Sequence, residues 1–195
     1  MNQLYKYRTP LLFVLGLGPL IFLSTIGVTY SFGPNPIEEV IQYFGIWALR
    51  FLFLTLLITP FRILSGVHAI SAFRRPLGLF SCFYAVLHAL SYIGLDQFFF
   101  WPAILEDILT RTYILLGTLA LFCLLVLAIT SINSIIKMMG ARAWRKVHFL
   151  IYPASVLAIA HFYLMIKADF IEPLVYAVLL LFLIGFRIVK KIKSR

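Results

Sequence analysis

The chain has 195 residues, 63% of them apolar and 12% charged, with a mean hydropathy of +1.01. Soluble domains run near about 45–50% apolar and about 25% charged, so this composition excludes an ordinary soluble domain, a disordered chain and a nucleic-acid-binding module. The net charge of +10 is then first a membrane-topology signal.

A transmembrane helix needs about 20 mostly apolar residues. Six such runs follow in chain order: Leu11–Tyr30, Phe44–Leu64, Pro76–Leu95, Thr112–Ile132, Val147–Ile166 and Pro173–Val189. They are too long and too continuous for barrel strands. The first follows Lys6 and Arg8 as a signal sequence would. It is too long for an h-region and lacks a small-residue cleavage site, so it reads as a retained helix. The expected fold is one all-α integral membrane domain over residues 1–195, with short loops and no room for a soluble domain or an internal repeat. Cys82 and Cys123 sit inside apolar runs and read as packing residues.

The loops Ser65–Arg75 and Asn133–Lys146 are basic and the other three are acidic. Placing both termini in the cytoplasm satisfies the positive-inside rule. Lys6, Arg8, Arg62, Arg74, Arg75, Lys137, Arg142, Arg145, Lys146, Arg187, Lys190, Lys191, Lys193 and Arg195 then lie inside. Glu38, Glu39, Asp96, Glu106, Asp107, Asp169 and Glu172 lie outside, with Arg111 and Lys167. Setting topology is a sufficient role for these charges.

Of the four histidines, His68 falls in a basic loop and reads as a solvated residue. The others fall in the third and fifth spans, which run parallel. An ionisable residue inside a bilayer is costly without a partner, which makes it a functional candidate. His88 and His161 lie about 12 and about 14 residues past the starts of their spans, roughly 18–21 Å from the cytoplasmic face. Two neutral imidazoles at one depth on two helices suit the two axial positions of a haem iron. Small residues precede each at helical spacing, Ala85 and Ser81 before His88, Ala158 and Ala154 before His161. They suit a flat macrocycle, and equally plain helix packing.

His148 stands 13 residues before His161, with Pro153 between them. On an ideal helix the two side chains point about 140° apart. His148 either binds a second haem through an unusual partner, faces a flavin or quinone, or is an interfacial residue. Arg50 lies about 9 Å below the outer face. It either pairs with haem propionates or snorkels to the headgroups. Trp47, Trp101 and Trp144 lie near span ends and read as interface anchors.

The segments ALRFLFLTLLITPFRIL (Ala48–Leu64), RRPLGLFSCFYAVLHALSY (Arg74–Tyr92), LAITS (Leu127–Ser131) and WRKVHFLIYPASVLAIAHFYLMIK (Trp144–Lys167) resemble the MsrQ (YedZ) family. The resemblance covers about residues 40–180. It rests on the paired arginines leading to His88 and on the His-x12-His of the fifth span. It implies a haem b membrane subunit with a ferric-reductase-like transmembrane bundle in the bacterial inner membrane. It carries over haem ligation by His88 and His161. A second haem at His148 stays open, because Arg74 stands about where a fourth histidine would be. The resemblance further implies electrons drawn from membrane quinol and passed to MsrP, a periplasmic molybdenum enzyme that reduces methionine sulfoxide in oxidised proteins. It also implies an association with FMN, for which no motif is assigned here. No catalytic residue for sulfoxide chemistry is expected on this chain.

Two other readings stand beside this one. Electrons could reach the haem from a separate cytoplasmic flavin reductase docked on the basic face. A non-redox scaffold or transporter with structural histidines is the third, disfavoured by the lack of any acid within a span.

Overall fold

In lipid an apolar run can satisfy its backbone only through its own helix, and eight α-helices form among the described residues: α1 (Gln3–Thr29), α2 (Pro36–Ser65), α3 (Arg74–Ser91), α4 (Trp101–Thr110), α5 (Thr112–Ile129), α6 (Asn133–Val147), α7 (Ile151–Met165) and α8 (Ile171–Lys193). The computed structural model describes residues 3–29, 33–166 and 170–193. Tyr30, at the end of the first expected span, lies outside the described residues, as do Ser31, Lys167, Asp169, Arg195 and the side chains of Lys6, Arg8, Lys191 and Lys193.

Five helical stretches are long and apolar enough to cross a membrane: Pro36–Ser65, His68–Asp96, Thr112–Ile129, Asn133–Met165 and Ile171–Lys190. A sixth, shorter apolar stretch is Leu12–Thr25 of α1. The protein is a multi-pass, all-α membrane protein. The span over α2 is longer than expected from its apolar run, because Asn35 caps it and Pro36 opens it, bringing Glu38 and Glu39 into the first turn. Gly66, with φ 71°, ends it.

Two helices lie where the sequence suggests loops. Helix α4 is half a span long, so a search for runs of about 20 apolar residues passes over it. It buries Ile104 and Asp107 and leaves Trp101, Leu105 and Leu109 exposed. Helix α6 is rich in Lys and Arg and is broken at Gly140, where φ is 72°. The third span is also not one α-helix. A 3₁₀ turn, His68–Phe73, leads into α3, and a π turn, Tyr92–Asp96, follows it. The chain then turns through Phe98 and Phe99, both at positive φ.

Helix α2 packs chiefly on α3, and α5 on α7. These two hairpins face each other as a four-helix bundle, with α8 against α7 and α2, and α1 against α3. One apolar core joins α2, α5, α7 and α8 through Leu52, Phe53, Leu56, Leu124, Leu127, Ile159 and Leu183. An aromatic core joins α2 to α3, where Phe51 stacks on Tyr84 at 5.4 Å. Tyr84 is fully buried and donates its hydroxyl to Gly16 O at 2.7 Å, and Tyr43 donates to Pro19 O at 2.7 Å, so two tyrosines tie α1 to the bundle. Gly16 admits this contact, because a Cβ there would collide with the Phe80 ring.

Candidate functional site

Between the two hairpins lies a cavity of about 500 Å³, in the range of small-molecule and cofactor sites. Its deep walls are Leu52, Ser81, Leu124 and Ala158. Its mouth carries Asn35, Glu38, Gln42, Asp96, Arg111 and Glu172, all near helix ends. His88 from α3 and His161 from α7 face each other across it, ring centres 5.9 Å apart and planes at 80°.

Both imidazoles are held in the same way. His88 Nδ1 donates to Ile41 O at 2.8 Å, and His161 Nδ1 donates to Tyr113 O at 2.6 Å. A carbonyl oxygen only accepts, so Nδ1 carries a proton, and in the neutral ring Nε2 keeps its lone pair. These carbonyls belong to the helices facing each histidine, α2 and α5. In a helix the Cα–Cβ bond tilts toward the N-terminus, so a side chain at i+4 lies over the carbonyl at i. The residues at i+4 are Gly45 and Gly117. A Cβ on Gly45 would stand 3.0 Å from His88 Nδ1, and one on Gly117 would stand 2.8 Å from His161 Nδ1. Glycine at these two positions lets each imidazole reach the backbone.

The likeness extends beyond the glycines and histidines. Ile41, Gly45, Ala48, Leu49 and Leu52 of α2 are matched, 72 residues on, by Tyr113, Gly117, Ala120, Leu121 and Leu124 of α5, and all ten line the cavity. Ala85 and His88 of α3 are matched, 73 residues on, by Ala158 and His161 of α7. The expectation of no internal repeat is corrected here. The two hairpins repeat each other at these positions of the cavity wall. Few identities survive outside these positions, which hides the repeat from a linear reading.

Two imidazoles, one from each hairpin, could hold a haem iron through their Nε2 atoms. Axial nitrogens at metal distances of about 2.0 Å would put the ring centres roughly 6 Å apart, close to the 5.9 Å found. Ser81, Ala85 and Ala158 keep the wall shallow beside the histidines. The residues present fit the group. Ala154, expected on the same wall, is instead fully buried in the apolar core.

Other expected site residues lie elsewhere. Arg50 is not among the residues lining the cavity. It projects from the far side of α2, exposed, with its guanidinium 4.9 Å from the Trp47 ring. His148 sits at the α6–α7 junction under Trp144, ring centres 3.9 Å apart. Its Nδ1 donates to Trp144 O at 3.1 Å and its Nε2 lies 3.4 Å from Ser131 Oγ. Arg74 donates to Thr59 Oγ1 and Arg75 to Asn133 Oδ1, each at 2.7 Å. His68 is exposed at the start of its 3₁₀ turn.

Three features of the site went unread in the sequence: the two glycine notches and Arg111. Arg111 precedes α5 and lines the mouth. Its Nε contacts Asp107 Oδ1 at 2.8 Å, and its Nη1 donates to Tyr113 OH at 3.3 Å. The Tyr113 bond first, and then the Asp107 charge, push its pKa up. Asp107 is 8% exposed and accepts from Tyr92 OH at 2.6 Å. The signal for the notches was the recurrence of Gly with His at spacings of 72 and 73 residues.

Residues 44–159, more than half of the chain, match the family described as ferric reductase like transmembrane component. The chain is 45% identical over 183 residues to the protein-methionine-sulfoxide reductase heme-binding subunit MsrQ of Rhodospirillum rubrum, covering 94% of this chain and 88% of that one. It is 44% identical over 165 residues to the protein of the same name from Xanthomonas oryzae pv. oryzae, covering 85% of this chain and 75% of that one. With the Xanthomonas campestris pv. campestris protein of that name the identity is 42% over 165 residues, with the same coverage.

Proposed function

This chain belongs to the ferric-reductase-like transmembrane family, and within it to the MsrQ haem-binding subunits, and from that premise we propose that it delivers electrons through the membrane to a methionine sulfoxide reductase. The observation that carries the reading is the facing pair of imidazoles, His88 and His161, each with Nδ1 tied to a backbone carbonyl. A b-type haem held by both Nε2 atoms would supply one-electron chemistry with no open iron position for oxygen. The chain's own part is to fix the two tautomers, line the pocket with apolar residues and keep water from its deep end.

The overall exchange takes two electrons and two protons from a quinol, leaving a quinone. The partner, a periplasmic MsrP-type reductase, uses two electrons and two protons to turn a methionine sulfoxide into the thioether and water. Quinol is the donor favoured here, because the source and the bundle share the membrane. A soluble flavin reductase docked on the basic end is the second source that the charge pattern supports. We place the chain in the bacterial inner membrane with both termini in the cytoplasm, on the strength of the positive-inside rule. The cavity mouth, rimmed by Glu38, Asp96 and Glu172, then faces the periplasm and the partner.

The test is a haem-to-protein ratio with oxidised and reduced spectra on wild type, His88→Ala and His161→Ala. Either substitution should remove a low-spin b-type signal, and both keeping it would overturn the ligand assignment. Membranes given quinol or NADH then separate the two donors by which one reduces the haem.

A further inference from the structure

We propose that Arg111 orients the haem, pairing its guanidinium with a propionate at the cavity mouth. This rests on the haem reading above and adds to it the direction in which the macrocycle is inserted. The deep walls are apolar apart from Ser81, whose hydroxyl is already donated to Ala48 O, and burying an ionised carboxylate among them would cost far more than leaving it at the rim. The propionate edge therefore belongs at the mouth. There the lining carries three acids, Glu38, Asp96 and Glu172, which repel a propionate. Arg111 is the one cationic side chain among the described residues that line the cavity.

The guanidinium is built into place. Asp107 holds Nε at 2.8 Å, and Asp107 is itself buried and held by Tyr92 OH at 2.6 Å. Tyr113 OH lies 3.3 Å from Nη1. A guanidinium has more donors than these two partners use, and Arg111 lines the mouth. Helix α4 thus acts as a brace: it carries Asp107 inward and presents Arg111 at its end. Two residues after Arg111, in the first turn of α5, Tyr113 O fixes His161. One stretch of chain therefore sets both an axial ligand and the rim cation. The position matching Arg111 in the first hairpin, 72 residues earlier, is Glu39. Glu39 itself does not line the cavity, but its neighbour Glu38 does, so the rim carries an acid from the first hairpin and a cation from the second.

The experiment uses purified haem-loaded protein and follows haem transfer to an excess of apomyoglobin, with the midpoint potential measured in parallel. Arg111→Gln should release haem about tenfold faster than wild type, as expected on losing a charge-assisted pair, and its potential should fall, since a nearby cation favours the reduced iron. Arg111→Lys keeps the charge but not the fork and should release haem about threefold faster. Protein reconstituted with iron protoporphyrin dimethyl ester, which has no carboxylates, should show the same release rate in all three. Equal release and equal potential with native haem would overturn the proposal. So would an acceleration that persists with the diester, because Arg111 would then act through α4 and not on the propionates. If Arg111→Gln does not assemble, Arg111→Lys with the two haems decides by the same rule. Failure of the haem reading itself is separate: His88→Ala would then bind haem as wild type does, whatever Arg111 does.

Discussion

The hairpin α2–α3 and the hairpin α5–α7 present nearly the same wall to the cavity and quite different ends to the rest of the molecule. At the level of the histidines they agree residue for residue: Gly45 with Gly117, Ala48 with Ala120, Ala85 with Ala158, His88 with His161. Away from that level they part. Glu39 holds the position that matches Arg111, and at the other end Arg75 stands where the second hairpin has His148. Deeper in the bundle, Ser81 donates to Ala48 O at 2.9 Å, while its counterpart Ala154 has no hydroxyl. The positions that agree are those where a ring must reach a backbone carbonyl or a flat surface must find room. The positions that differ are free of that demand.

The sharpest test of the equivalence is to remove one imidazole at a time. His88→Ala and His161→Ala should each abolish the low-spin haem signal to the same extent, read as the haem-to-protein ratio. Loss in one and retention in the other would show that the halves do not share the load. Next in size are the notches. Gly45→Ala and Gly117→Ala should displace the imidazole from its carbonyl and weaken haem retention by about 10–100-fold, the usual effect of disturbing a ligand's hydrogen-bond partner. The loss should be larger at Gly117, where the added Cβ comes 2.8 Å from the ring against 3.0 Å at Gly45. Haem titration of the two apoproteins measures both.

Smaller effects probe the differences. Ser81→Ala removes the bond to Ala48 O and should cost about 0.6 kcal/mol, the average for such bonds between membrane helices. Thermal unfolding in detergent would register it. His148→Ala should leave the spectrum of the His88–His161 site in place, because both its ring nitrogens already face protein atoms at the α6–α7 junction. Loss of a separate second signal would instead give His148 a haem of its own.

Much of this architecture is legible in the sequence, because spans are written as runs of apolar residues. The matched depth of His88 and His161 follows from counting along two parallel helices, and their rings are 5.9 Å apart. Counting fails for azimuth. Arg50 shares the right depth, yet it is one step from Leu49, and each step turns about 100° around the axis. Leu49 faces the cavity and Arg50 does not. Helices α4 and α6 escape notice because one is short and the other polar, so neither registers as a span. Arg111 escapes with them, since only α4 gives it a fixed place beside the mouth.

The acceptors of the two imidazole bonds, Ile41 O and Tyr113 O, belong to the main chain. No codon change at position 41 or 113 can delete them, although a proline nearby could shift them. A screen for loss of haem should therefore find few lesions at those two positions. It should find them at Gly45 and Gly117, where almost any substitution adds the one atom that closes the approach.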